Sequence, residues 1–155
     1  MEWKFKDNSI EIGELLDEAG REWLEDASRV LHRQVVQNTR VDTGQTKGSW
    51  RKAVDGNKAI VGSTSINAVY EEFGTGHYAV SGNGRPTAWY VLADGYTGNK
   101  KPTYNGKVVR VYGKDGKTYY KTNGKKPTRA LGNAFNTSRP KIEKRLEQIF
   151  KEKLE

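Results

Sequence analysis

The sequence predicts an α+β protein. Three observations point to that class: helical apolar spacing over a long amino-terminal stretch, two pairs of short strand patterns joined by tight-turn signals, and a second apolar stripe at helical spacing near the carboxyl terminus. The 155 residues suffice for one domain with a real core, and no internal repeat or clean boundary divides residues 1–155. Apolar residues make up 34% of the chain and charged residues 30%, which argues for a thin core under a well-hydrated surface.

The first helix is expected over residues 10–39. Ile12, Leu16, Ala19, Trp23, Ala27, Val30 and Leu31 recur at three- and four-residue steps. Glu11, Glu14, Asp17 and Glu18 lie in its first turns, where the helix dipole favours negative charge. Trp23 reads as a core anchor. "VDTG" then breaks the helix with residues that favour turns. "SWRKAVD" and "KAIVGST" form a hairpin across "DGNK". "INAVYEEF" (66–73) fits either a short helix capped by Asn67 or an irregular strand.

Residues 77–124 read as a flexible β-rich excursion within the single domain. "TAWYVLA" is an aromatic strand, and "KVVRVYGKDGKTYYKT" is a hairpin with Val109, Val111 and Tyr112 facing Thr118, Tyr119 and Tyr120. The stretch between them is turn-rich and expected to be mobile; its aromatics alternating with lysine suggest nucleic acid, against the favoured reading of an ordinary amphipathic hairpin with tyrosines packed across strands. A last helix is expected over 138–155, with Ser138 as N-cap, Pro140 in the first turn, and Ile142, Leu146, Ile149 and Phe150 as its stripe; a preceding helical turn over "TRALGNAF", joined by a kink, is the alternative start.

Several function classes are disfavoured. With no cysteine and only His32 and His77, thiolate chemistry is absent and a zinc site is not expected. "MEWKFKDNSI" lacks the apolar core of a secretory signal, and no run approaches the ~20 apolar residues of a membrane span. "GTGHYA" (74–79) matches a loose dinucleotide fingerprint, but "YEEF" before it and "VSGNGRP" after it are the wrong context. Glu71 and Glu72 are adjacent and would diverge on a strand. His77 has no nucleophile at motif spacing, and neither Ser63 nor Ser81 sits in a nucleophile elbow. No catalytic set and no cofactor or small-molecule substrate is expected. The glycines after Phe73 read as a sharp structural turn that holds Phe73 in place and launches the excursion.

Net charge is +8 and uneven: residues 1–40 carry −3, residues 41–100 carry +1, and residues 101–155 carry +10. Such asymmetry marks either a nucleic-acid face or two surfaces that attract one another in an assembly. Lys125, Lys126, Arg129, Lys141, Lys144 and Arg145 are the candidate contact residues of the basic part.

Two motifs carry a family resemblance. One is Val41, Asp42, Thr43 and Gly44 followed by Ser49; the other is Tyr70, then Glu72, Phe73, Gly74, Thr75 and Gly76. Set between a long first helix and a basic last one, they resemble the head–tail joining, or neck, family of tailed phages typified by gene product ten of phage HK-ninety-seven. The likeness spans roughly residues 10–90 and, more loosely, 121–155. Thr46 stands where that family usually carries Leu, and "KPTRALGNAF" departs from its usual Pro-rich segment. The resemblance implies a small antiparallel sheet packed by the two terminal helices. It implies a non-enzymatic virion protein, assembled in the host cytoplasm into a ring. That ring would sit between head-closure and tail-terminator proteins, with genomic DNA passing through it and no membrane involved. Pairing between the acidic first helix of one subunit and the basic carboxyl-terminal half of the next would suit such a ring. A basic nucleic-acid-binding module is the alternative reading.

Overall fold

The helical spacing of the first third folds as one uninterrupted helix, α1 (Ser9–Asn38), with Ala19, Ser28 and Val35 on its buried face. The computed structural model describes residues 8–42 and 44–154, so the motif residue Thr43 and the first seven residues lie outside it. Helix α1 stops at Thr39, whose backbone turns extended and whose hydroxyl donates to the Val35 carbonyl at 2.7 Å. Gly44, at φ +84°, opens the one-turn helix α2 (Gln45–Gly48). Strands β1 (Trp50–Asp55) and β2 (Lys58–Ser63) follow as a tight antiparallel hairpin with Asp55 opposite Lys58. Helix α3 (Ile66–Phe73) and a single 3-10 turn (Gly76–Tyr78) lead into the excursion. There β3 (Trp89–Leu92), β4 (Val109–Tyr112) and β5 (Thr118–Thr122) form an antiparallel sheet in the order β3-β5-β4. Helix α4 (Ala130–Leu154) is the last described element.

The α+β class stands, with the strands divided between two small sheets. Helices α1 and α4 lie antiparallel. Asn38 donates to the Ala130 carbonyl at 3.2 Å, the Trp23 indole donates to the Ile142 carbonyl at 3.0 Å, and Lys153 pairs with Glu18 at 2.6 Å. The β1–β2 hairpin packs on α1. Val35, Trp50, Ala68, Ala130 and Ala134 make the core where α1, β1, α3 and α4 meet, with Leu31, Val36, Val61 and Leu131 against it. Three of these five core residues are alanines, Ala68 on α3 and Ala130 and Ala134 on α4. The indole of Trp50 donates to Thr39 Oγ1 at 2.8 Å, joining the first strand to the end of α1.

Several expectations are corrected. The 66–73 segment is a helix, but Ser65 rather than Asn67 precedes its first turn. Ser138 does not cap α4. The helix begins eight residues earlier, and Ser138 is buried within it with an unpartnered hydroxyl among the described residues. Pro140 is therefore interior, where its missing N–H leaves the Asn136 carbonyl without the usual helical donor. The strands expected in the excursion form and join as one three-stranded sheet, and the turn-rich stretch between them contacts that sheet. Tyr96 meets Tyr120 edge-to-face, and Tyr104 and Lys107 form a β-bridge. Ile12 and Leu16 are 49% and 40% exposed, because the described part of α4 ends level with Glu18 and no other described helix packs on that stretch of α1.

Trp50→Ala is expected to destabilise the fold by about 3–5 kcal/mol, read by urea denaturation. The change opens a cavity in the core and strips Thr39 of its donor.

Candidate functional site

The second motif segment lies on α3, and its two adjacent glutamates point to different partners. Glu71 is only 4% exposed. Its carboxylate meets the Arg40 Nε at 3.1 Å, the Lys125 ammonium, and the Thr128 hydroxyl at 2.9 Å. Its backbone carbonyl accepts from the N–H groups of Thr128 (2.7 Å) and Arg129 (3.2 Å). Burial pushes the Glu71 carboxyl up, but Lys125, Thr128 and Arg40 outweigh it and hold the group below the ordinary glutamate value of 4.5. Glu72 reaches the start of α4 instead, where its two oxygens accept from Leu131 N at 2.8 Å and Gly132 N at 3.0 Å. A carboxylate at a helix amino terminus satisfies orphan N–H groups and complements the dipole. This cap from another helix explains why α4 starts at Ala130 without Ser138.

The glycine turn is structural. Thr75 N donates to the Lys125 carbonyl at 3.0 Å and His77 N to the Asn123 carbonyl at 2.9 Å, so the turn runs as a short ladder beside the end of the excursion. Gly76 has φ +59°, and a Cβ there would lie 2.5 Å from the Asn123 carbonyl oxygen and 2.7 Å from the Trp89 ring. Only glycine fits. Phe73, expected to be held in place by this turn, is 56% exposed. The buried side of α3 is taken by Ala68 and Glu71, and Phe73 falls on the other side.

Between the helical core and the three-stranded sheet runs an open groove of about 1270 Å³. Val41, Asp42, Gly44, Tyr70, Thr75, Lys125 and Lys126 of the sequence-derived candidates line it. Asp42 ties its two sides together: one carboxylate oxygen accepts from Asn99 N at 2.6 Å and from Lys100 N at 3.1 Å. Ser49 lies off the groove and joins α2 to the hairpin, donating to the Thr46 carbonyl and meeting the Ser63 hydroxyl, both at 2.6 Å. Arg129 precedes α4 at φ +52°. Lys141 edges a separate small depression with Val30 and Arg33, and Lys144 is exposed on α4.

Sequence reasoning missed Arg40, Trp89, Tyr96, Lys100 and Lys101, which complete the groove. The alternation of aromatics with lysine over residues 96–107 is the signal the sequence offers for this side of the groove, but nothing in the sequence shows that this loop folds back to Asp42. The groove carries Arg40, Lys100, Lys101, Lys125 and Lys126 against Asp42 and Glu71. Among the described residues no three His, Asp or Glu side chains come together as metal ligands, and no helix is long and apolar enough to cross a membrane.

The acidic first helix does not hold its charge for a neighbour along most of its length. Arg145 meets Asp26 at 2.9 Å and Glu22 at 3.2 Å, Lys153 meets Glu18 and Glu22, and Lys52 meets Glu25 at 3.3 Å, all within one chain. The Arg145 hydrogen bond holds the Asp26 carboxyl below its ordinary value, against a smaller upward push from burial and with help from Arg29. Compared with known protein families, curated proteins and solved structures, the chain has no match.

Glu71→Gln is expected to lower stability by about 2 kcal/mol at neutral pH, the scale of charge-assisted hydrogen bonds whose cations keep some solvent. Because the folded carboxyl lies below 4.5, this contribution is full above that value and is lost as pH falls through the folded one. Urea denaturation of both proteins should show the gap narrowing from neutral pH to ~pH 3.

Proposed function

We propose that this chain is a structural virion protein of a tailed phage or prophage, one subunit of a neck ring that joins the head connector to the tail. The observation that carries this reading is what the second motif segment does. It spends its glutamates on internal clamps and leaves an apolar row of Ile66, Val69, Tyr70 and Phe73 on the solvent side of α3. Those residues lie at i, i+3, i+4 and i+7, a continuous stripe of the kind that covers a neighbouring protein. The first motif segment supports the same reading, since Asp42 anchors the excursion loop rather than presenting a reactive group. On this reading the partners are further copies of the chain together with head-closure and tail-terminator proteins. The protein belongs to the virion neck and, during assembly, to the host cytoplasm. It uses no cofactor.

One observation favours a second reading. Tyr78, Trp89 and Tyr96 share the groove with four lysines, the combination that stacks bases and tracks phosphates in single-stranded nucleic-acid binders.

Deletion of the gene in its source phage, followed by electron microscopy of the induced lysate, tests the ring. Filled heads and separate tails are the expected result; normal joined virions would overturn it. Retardation of single-stranded oligonucleotides at low salt, lost steeply as salt rises, would support the second reading.

A further inference from the structure

Two helices carry exposed apolar stripes among the described residues, and these stripes sit at opposite ends of α1. One is the α3 stripe, which Tyr70 joins to the groove. The other is the start of α1, where Ile12 and Leu16 continue the Ala19–Trp23 face past the end of α4. Their flanks carry opposite charge. Residues 9–17 hold Glu11, Glu14 and Asp17 with no basic residue, a net −3. The groove beside α3 holds five basic and two acidic side chains, a net +3.

One chain cannot bring these surfaces together. Helix α3 packs where α1 ends, near Val35, while Ile12 lies more than twenty residues back along the same unbroken helix. At 1.5 Å per residue that is roughly 35 Å of rigid rod. We propose that the projecting start of α1 docks on the α3 stripe and basic groove of a second copy of this chain. Ile12 and Leu16 cover Val69, Tyr70 and Phe73, while Glu11, Glu14 and Asp17 face Lys100, Lys101 and Lys126. Donor and acceptor surfaces differ, so the contact is head-to-tail. Such a contact closes into a ring or continues as a filament according to the rotation between copies. This rests on the ring reading and names the interface that would build it.

The absence of native cysteine makes a direct test available. Gly13→Cys sits on the projecting helix with open space around it, and Asn67→Cys sits on the groove edge of α3. Mixing the two single variants under mild oxidation should give a disulfide-linked dimer in yield well above a pairing of Gly13→Cys with Asn57→Cys at the hairpin tip. Adding Lys100→Glu and Lys101→Glu to the Asn67→Cys chain should cut the yield several-fold. Adding Glu11→Lys, Glu14→Lys and Asp17→Lys to the other chain should restore it. Yield at the control level, or yield indifferent to these charges, overturns the proposal. If it fails while wild-type protein still sediments as a closed oligomer, the ring survives with a different interface. If single-stranded DNA shields Asn67→Cys from labelling while the cross-link stays at control level, the groove takes nucleic acid and not a second copy.

Discussion

Two neighbouring carboxylates organise this protein. Glu71 and Glu72 lie one residue apart on α3, so their side chains leave the helix about 100° apart. One gathers Arg40, Lys125 and Thr128, binding the end of α1 to the segment that returns from the excursion. The other caps α4. Three parts of the chain that are far apart in sequence therefore meet at one short helix. A buried carboxylate is costly unless its lone pairs are used. Glu71 meets that condition with two cations and a hydroxyl, both cations keeping access to water.

That junction also sets the molecule's two-lobed shape. The helical lobe has a small, alanine-lined core, and the three-stranded lobe pairs chiefly with itself. The chain passes between them twice, at residues 74–77 and 122–128, where the backbones run close enough to require glycine at position 76. Asp42 adds a third connection through the 98–100 loop. The groove is the space these three links leave, which is why residues from both motifs line it.

The unevenness of charge also takes on a more specific meaning. Most of the acidic side chains of α1 are neutralised by α4 and the hairpin of the same chain. Among the described residues Glu11, Glu14 and Asp17 of the projecting first turns have no basic partner, while five basic side chains meet in the groove. An assembly role built on this chain would depend on its extremities rather than on its helix pair.

By itself the sequence determined most of the elements, though not α2, the 3-10 turn or the start of α4. Apolar spacing gave α1 its span to within a residue, and the two Gly-centred turns set both hairpins, because helix period and left-handed turn positions are local properties. It also excluded thiolate chemistry through composition. What only tertiary structure decided was which partner each polar group found. Ser138 looks like a cap until Glu72 supplies one from another helix. Phe73 looks like an anchor until Ala68 and Glu71 take the buried side of α3. The groove was not legible, since Asp42 and Asn99 are far apart in the chain and no local pattern marks their meeting. Long-range pairing depends on how the whole backbone closes, and a one-dimensional pattern carries no record of that.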